Sequence, residues 1–170
     1  MKSHLIGAHQ PLRAHQRAVR NLLYNLTHEL DFERYEPLPD ARLDESSPVS
    51  ERCDVVVIDL RTDKVCVAID VTTRRELPAA RRRGRMLFPD YPFLKEVFLL
   101  DYETEDWYRL TAENVDEVDE MDDLLAPMEA QESFDLADWD RDLNYHNERS
   151  LPGYSHVLRL NMSAFAELNL

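Results

Sequence analysis

Two apolar runs dominate the chain: C-D-V-V-V-I-D-L over residues 53–60 and V-C-V-A-I-D-V over 65–71. Only R-T-D-K, residues 61–64, separates them. Strand-forming runs joined by so short a polar link predict a β-hairpin. Neither run alternates apolar with polar residues, as a strand with one wetted face does. Near-continuous Val and Ile instead predicts strands buried on both faces. The hairpin therefore demands cover on each side, and the remaining sequence has to supply it.

Cover is available. Val19, Leu22, Leu23, Leu26 and Leu30 recur at helical spacing. They predict an amphipathic helix over 12–30, with His15 one turn ahead on the same stripe. A second helix is predicted over 77–88. Pro78 falls in its first turn, where proline is tolerated, Gly84 inside it costs about 1 kcal/mol relative to alanine, and Pro89 and Pro92 end it. K-E-V-F-L-L-D over 95–101 reads as a third strand, 102–106 as a turn, and W-Y-R-L as the start of a fourth strand. Y-E-P-L-P over 35–39 reads as an extended connector, because residues before proline avoid the helical region. Residues 44–50 read as a polar turn and 151–153 as another. A short strand is predicted over 157–160, with Asn161 or Ser163 capping a last helix that ends near 168. The order helix, hairpin, helix, hairpin predicts an α/β fold: one mixed central sheet flanked by helices. A chain of 170 residues suits one domain over 1–170.

The formal charge of −14 is unevenly spread. Residues 113–148 hold fourteen Asp/Glu and one base, Arg141, for a net −13. The remaining twenty acids and nineteen bases nearly cancel. The acidity thus belongs to one segment, read as an insertion at about 113–148. Two readings of it stand: a solvated insertion, or a nucleic-acid mimic that covers a basic patch. The patch would be Arg74, Arg75, Arg81, Arg82, Arg83 and Arg85, six arginines in twelve positions. Such a cluster could contact several phosphates, or form an exposed basic helix neutralised by the acidic segment. No stretch is apolar enough for a membrane span, and the N-terminus shows no secretory signal. Cys53 and Cys66 make no disulfide framework, so a reduced, cytoplasmic protein is expected.

The hairpin also carries acids inside its apolar runs. With Arg61-Thr62-Asp63 as the loop, Leu60 faces Lys64 and Asp54 falls opposite Asp70 on the same face. Their Cβ atoms would then be about 5 Å apart. Two carboxylates that close on an apolar surface repel unless a cation or a shared proton relieves them. A divalent ion is one relief, and oxygen ligands suit Mg²⁺ or Mn²⁺, with the backbone carbonyl of Val71 as a further ligand. The alternative is that both acids are solvated strand ends. A slip of one residue puts them on opposite faces and removes the site. Asp59 alternates to the other face and reads as a salt-bridged or edge acid.

Taken in order, H-Q-R-A-V-R-N-L-L, P-D-A-R-L-D-E-S-S-P-V, C-D-V-V-V-I-D, V-A-I-D-V-T-T, K-E-V-F-L-L-D and L-P-G-Y-S-H-V resemble the Uma family. These are restriction-endonuclease-like proteins of bacteria within the PD-(D/E)xK nuclease superfamily. The resemblance runs from His15 to about Phe165 and skips the acidic segment. It implies a restriction-endonuclease-like fold and a metal site. The family's proline–aspartate pair falls on Cys53-Asp54, its strand glutamate on Asp70 and its helix-start histidine on His15. Its lysine lies on the following helix, and counting without gaps puts that position on Gly84, between Arg83 and Arg85. The aromatic that follows falls on Phe88.

The reaction this implies is metal-dependent hydrolysis of phosphodiester bonds in nucleic acid, DNA first. Asp54, Asp70, Val71 and His15 would make the metal site. Arg83 or Arg85 would stabilise charge, although neither suits a base, because arginine stays protonated. The resemblance also implies pairing of two copies to cut two strands. Two rival functions stand beside it: a catalytically inactive nuclease-fold module that binds nucleic acid or protein, and an acidic interaction module.

Overall fold

A computed structural model describes residues 9–114 and 149–167. Helix α1, His9–Glu29, forms where the apolar stripe predicts it. Ala18, Leu22, Leu26 and Leu30 are buried along it, with Val19 and Leu23 packed at its flank. Five strands follow around a second helix: β1 (Tyr35–Arg42), β2 (Arg52–Asp59), β3 (Lys64–Thr72), α2 (Leu77–Asp90), β4 (Glu96–Asp101) and β5 (Asp106–Thr111). They make one sheet in the order β1-β2-β3-β4-β5. Only β3 and β4 run parallel, joined through α2, and the other neighbours are antiparallel. The architecture is α/β, a five-stranded mixed sheet flanked by helices.

Each face of the sheet has its own core. On one, α1 packs against Val55, Val57, Val67, Ile69, Phe98 and Leu100. On the other, Leu77, Leu87 and Phe88 of α2 pack against Val56, Ala68, Val97, Leu99 and Leu110. That division satisfies the two buried faces read from the hairpin runs. Helix α2 lies very close to the sheet. A Cβ built on Gly84 would stand 2.9 Å from Leu110 Cδ1 and 3.3 Å from Val97 Cγ1. The glycine that weakens the helix locally is what permits this approach.

Several boundaries differ from the sequence reading. The 35–39 connector is the first half of strand β1. Its prolines, Pro37 and Pro39, are tolerated because β1 is an edge strand, bonded only to β2. Pro89 lies inside the last turn of α2 rather than beyond it. Two short strands, β6 (Tyr154–Ser155) and β7 (Leu160–Asn161), form a separate ribbon. No last helix forms among the described residues. Asn161 Oδ1 accepts from Ser163 N and Ser163 Oγ at 3.1 and 2.7 Å, a local turn that competes with a helical start. Residues 115–148 lie outside the described residues, and so does most of the predicted acidic insertion. Among the described residues no helix is long and apolar enough to cross a membrane.

The hairpin register holds the most consequential difference. The turn has four residues, not three: Asp59 pairs with Lys64 and Ile58 with Val65. Leu60 therefore does not face Lys64. The register then shifts, and Val57 pairs with Val67, Val56 with Ala68 and Val55 with Ile69. Cys66 is the extra residue of a β-bulge. From there on the pairing matches the predicted one, and its continuation sets Asp54 opposite Asp70.

Candidate active site

Beyond the Val55–Ile69 pair β2 and β3 part, and side chains replace the backbone ladder. Val71 N donates to Asp54 Oδ2 at 2.8 Å. Asp54 N donates to Asp70 Oδ1 at 3.3 Å. The two acids are thus fixed by each other's strand, at the mouth of the hairpin and not deep inside it. Asp70 is only 6 % exposed, and Asp54 is half-buried. Burial raises the pKa of Asp70, Arg83 opposes the rise, and the charge of Asp54 adds to it.

Each carboxylate has a basic neighbour from a different helix. Arg83 of α2 donates from Nη1 to Asp70 Oδ2 at 2.9 Å. The same guanidinium donates to the Arg52 carbonyl oxygen and reaches Glu51 Oε2 at 3.4 Å. His15 of α1 places Nε2 3.1 Å from Asp54 Oδ2. This hydrogen bond raises the imidazole pKa against the lowering effect of burial, and Asp54's charge and the Val71 backbone reinforce it. Tyr102 packs edge-on against the His15 ring, with centroids 6.1 Å apart. His15 is therefore at the site and not a core histidine of the α1 stripe.

The site opens into a cleft of about 400 Å³ lined by Asp54, Asp70, Val71, Glu76 and Arg83 among others. A second, more apolar recess of about 430 Å³ lies on the α1 side, against His15, Val19, Leu23 and Pro39. Asp54 and Asp40 border both. Asp40 escaped the sequence reading. It stands opposite Asp54 in the β1–β2 register but is skipped by the ladder, since Pro39 pairs with Val55 and Ala41 with Cys53. Its φ of +43° is a left-handed conformation that Asp tolerates better than most residues. Arg52 clamps it, reaching Asp40 Oδ1 at 3.2 Å and the Asp40 carbonyl at 2.6 Å. Glu51 and Arg52, at the start of β2, hold Arg83 as well, and no local pattern marks a residue there as the partner of a helix thirty positions away.

The arginines divide by helical face. Leu77, Arg81, Gly84, Arg85 and Phe88 are all buried, at the i, i+4, i+7, i+8 and i+11 positions of one helical stripe. Arg81 and Arg85 therefore do not join an outward basic patch. Arg81 lies over the Tyr108 ring, 5.9 Å from its centroid. Arg85 stands about 200° around the helix from Arg83, so it is not the site's cation. Gly84, where the resemblance counts its lysine, faces the sheet core. Arg83 alone of the three touches the carboxylates. Arg74 reaches Asp106 at 3.4 Å and the Tyr108 hydroxyl at 3.3 Å, while Arg75 and Arg82 are exposed. Asp59, at the end of β2, pairs with Arg34 at 3.9 Å. Both cysteines are buried thiols. Burial pushes the Cys66 pKa up to about 12 and raises that of Cys53, next to Asp54, further still. Neither is a nucleophile at neutral pH.

The donor chemistry suits a hard divalent cation. Asp54 Oδ1 has no hydrogen-bond partner among the described residues, Asp70 Oδ1 accepts from Asp54 N at a long 3.3 Å, the Cys53 thiol is a further, weak donor to Asp70, and the Val71 carbonyl belongs to the same corner. Among the described residues no three His, Cys, Asp or Glu side chains group as metal ligands, so an ion here would rest on two carboxylates and a carbonyl. No protein-family model and no curated protein matches this chain.

Proposed function

We propose that the chain is a restriction-endonuclease-like nuclease, related to the Uma family, that hydrolyses phosphodiester bonds of nucleic acid with Mg²⁺ or Mn²⁺. The observation that carries this reading is the pair Asp54–Asp70, opposed across the parted mouth of β2 and β3 in an open cleft. Two acids this close on buried strands repel, and a divalent ion bridging them would relieve both at once, as the Arg83 contact to Asp70 alone does not.

Asp54, Asp70 and the Val71 carbonyl would hold the ion. When bound, it supplies Lewis-acid polarisation of a phosphate oxygen and a lowered pKa for water. Arg83, at the edge of the same cleft, offers a permanent positive charge to the phosphate and takes the part the resemblance gives to lysine. His15 is a positioning residue: it holds the Asp54 carboxylate through Oδ2. Arg75, just before α2, and Arg82, on it, are exposed and would meet flanking phosphates. DNA is the expected substrate, and two copies acting together would cut both strands.

Incubation of plasmid and single-stranded DNA with the protein and Mg²⁺ or Mn²⁺ tests the reading. Cleavage is expected with either ion, and Asp70→Asn and Asp54→Asn should each lower it by about a hundredfold or more. Cleavage that survives both substitutions would refute it. The Arg83–Asp70 ion pair favours a second reading, a nuclease-fold module that binds without cutting, because the guanidinium already relieves the acid pair. DNA binding that needs no divalent ion, with no cleavage, would select that reading.

A further inference from the structure

Asp70 Oδ2 is both an expected metal ligand and the acceptor for Arg83 Nη1 at 2.9 Å. Two cations compete for one oxygen. The guanidinium is held at three points, by Asp70, Glu51 and the Arg52 carbonyl, so it is seated and not merely nearby. Retreat of the helix as a unit would pull Leu77, Leu87 and Phe88 out of the core they fill. Arginine also cannot shed its proton to soften the conflict, as a buried lysine can. What remains is movement of the side chain alone. Arg83 is partly exposed, and its rim partner Glu51 is more so, so a path toward the cleft mouth is open.

We infer that Arg83 and the divalent ion exclude one another at Asp70 Oδ2: Arg83 sets the metal affinity of the site, and ion binding releases its guanidinium toward the phosphate. The inference rests on the metal reading above. It makes Arg83 a placeholder for the ion first and a phosphate ligand second.

Calorimetric titration of the full chain with Mn²⁺ tests it, without substrate. Arg83→Gln should bind Mn²⁺ about tenfold more tightly or better. Arg82→Gln, which removes an equal charge from the exposed neighbouring position, should change affinity by less than about twofold. If wild type binds and Arg83→Gln binds no more tightly, the exclusion is refuted and the metal site stands. An equal gain for Arg82→Gln also refutes it, because general repulsion would then suffice. If neither wild type nor Arg83→Gln binds, the metal reading itself falls. Should Arg83→Gln fail to fold, the wild-type protein still decides. On Mg²⁺ saturation the Arg83 Nε–H should exchange faster with solvent by NMR while Arg82 stays unchanged, and an unaltered Arg83 signal overturns the inference.

Discussion

Two buried carboxylate environments lie on adjacent strands of this sheet, and they are satisfied in opposite ways. Glu96 of β4 is 1 % exposed. Its Oε2 accepts from Arg109 Nε at 2.6 Å and His156 N at 3.0 Å, and its Oε1 from Ser155 Oγ at 2.5 Å and Val157 N at 3.3 Å. Asp70 of β3 is nearly as buried, yet it faces a second carboxylate and an open cleft. Burying a charge is tolerable when donors fill its lone pairs. Glu96 is saturated and fastens the 154–161 ribbon to the sheet, so its role ends in the fold. The Asp54–Asp70 corner keeps coordination to spare, which is what a ligand needs. Between these two acids the difference lies in donor saturation and not in burial.

The sharpest way to break this contrast is to damage the saturated side. Glu96→Gln should cost roughly 3 kcal/mol in urea unfolding, because it strands Arg109 without its charge partner. Gly84→Lys probes the cation of the other side. The close approach of α2 leaves no room for the side chain, so a loss of roughly 2 kcal/mol is expected by denaturation, with no gain in cleavage. A stable variant with restored activity would move the site's cation from Arg83 to Gly84. Asp70→Asn, with no divalent ion added, should change stability by less than about 1 kcal/mol, since it relieves the repulsion from Asp54 while loosening Arg83. A loss as large as that of Glu96→Gln would erase the distinction between the two environments.

The smallest effect expected is a pH trend. The His15 pKa is raised above 6.5 by its bond to Asp54. Its stabilising contribution is fully present below pH 6.5 and is lost as pH rises through the raised folded value. Without divalent ions, melting temperature should therefore rise modestly as pH falls from 8 toward 6. His15→Gln should flatten the trend, and a wild-type profile that matches the variant would remove the His15–Asp54 ion pair from the account.

Much of this was legible in the chain. The hairpin followed from two apolar runs, α1 from its stripe, and the Asp54–Asp70 pair from register. The failures have physical causes. Prolines hid β1, because their missing donors matter only in a strand with two neighbours. The six arginines were read as a string, although helical spacing turns 81 and 85 inward with Gly84 and leaves 83 to reach Asp70. Asp40, Glu51 and Arg52 join the corner only through tertiary contacts, which no local pattern encodes. The register that opposes the two acids arises differently from the sequence reading: a four-residue turn and a bulge together have the same effect as a three-residue loop.

That equivalence makes the corner a matter of counting. A four-residue turn with no bulge would carry Asp70 to the opposite face from Asp54, and so would a bulge behind a shorter turn. The fifteen residues between the two acids can be divided between turn and bulge in more than one way, but their number cannot change by one without turning an acid over. The shape of the hairpin tip is therefore free to vary, while its residue tally is tied to the chemistry five residues beyond it.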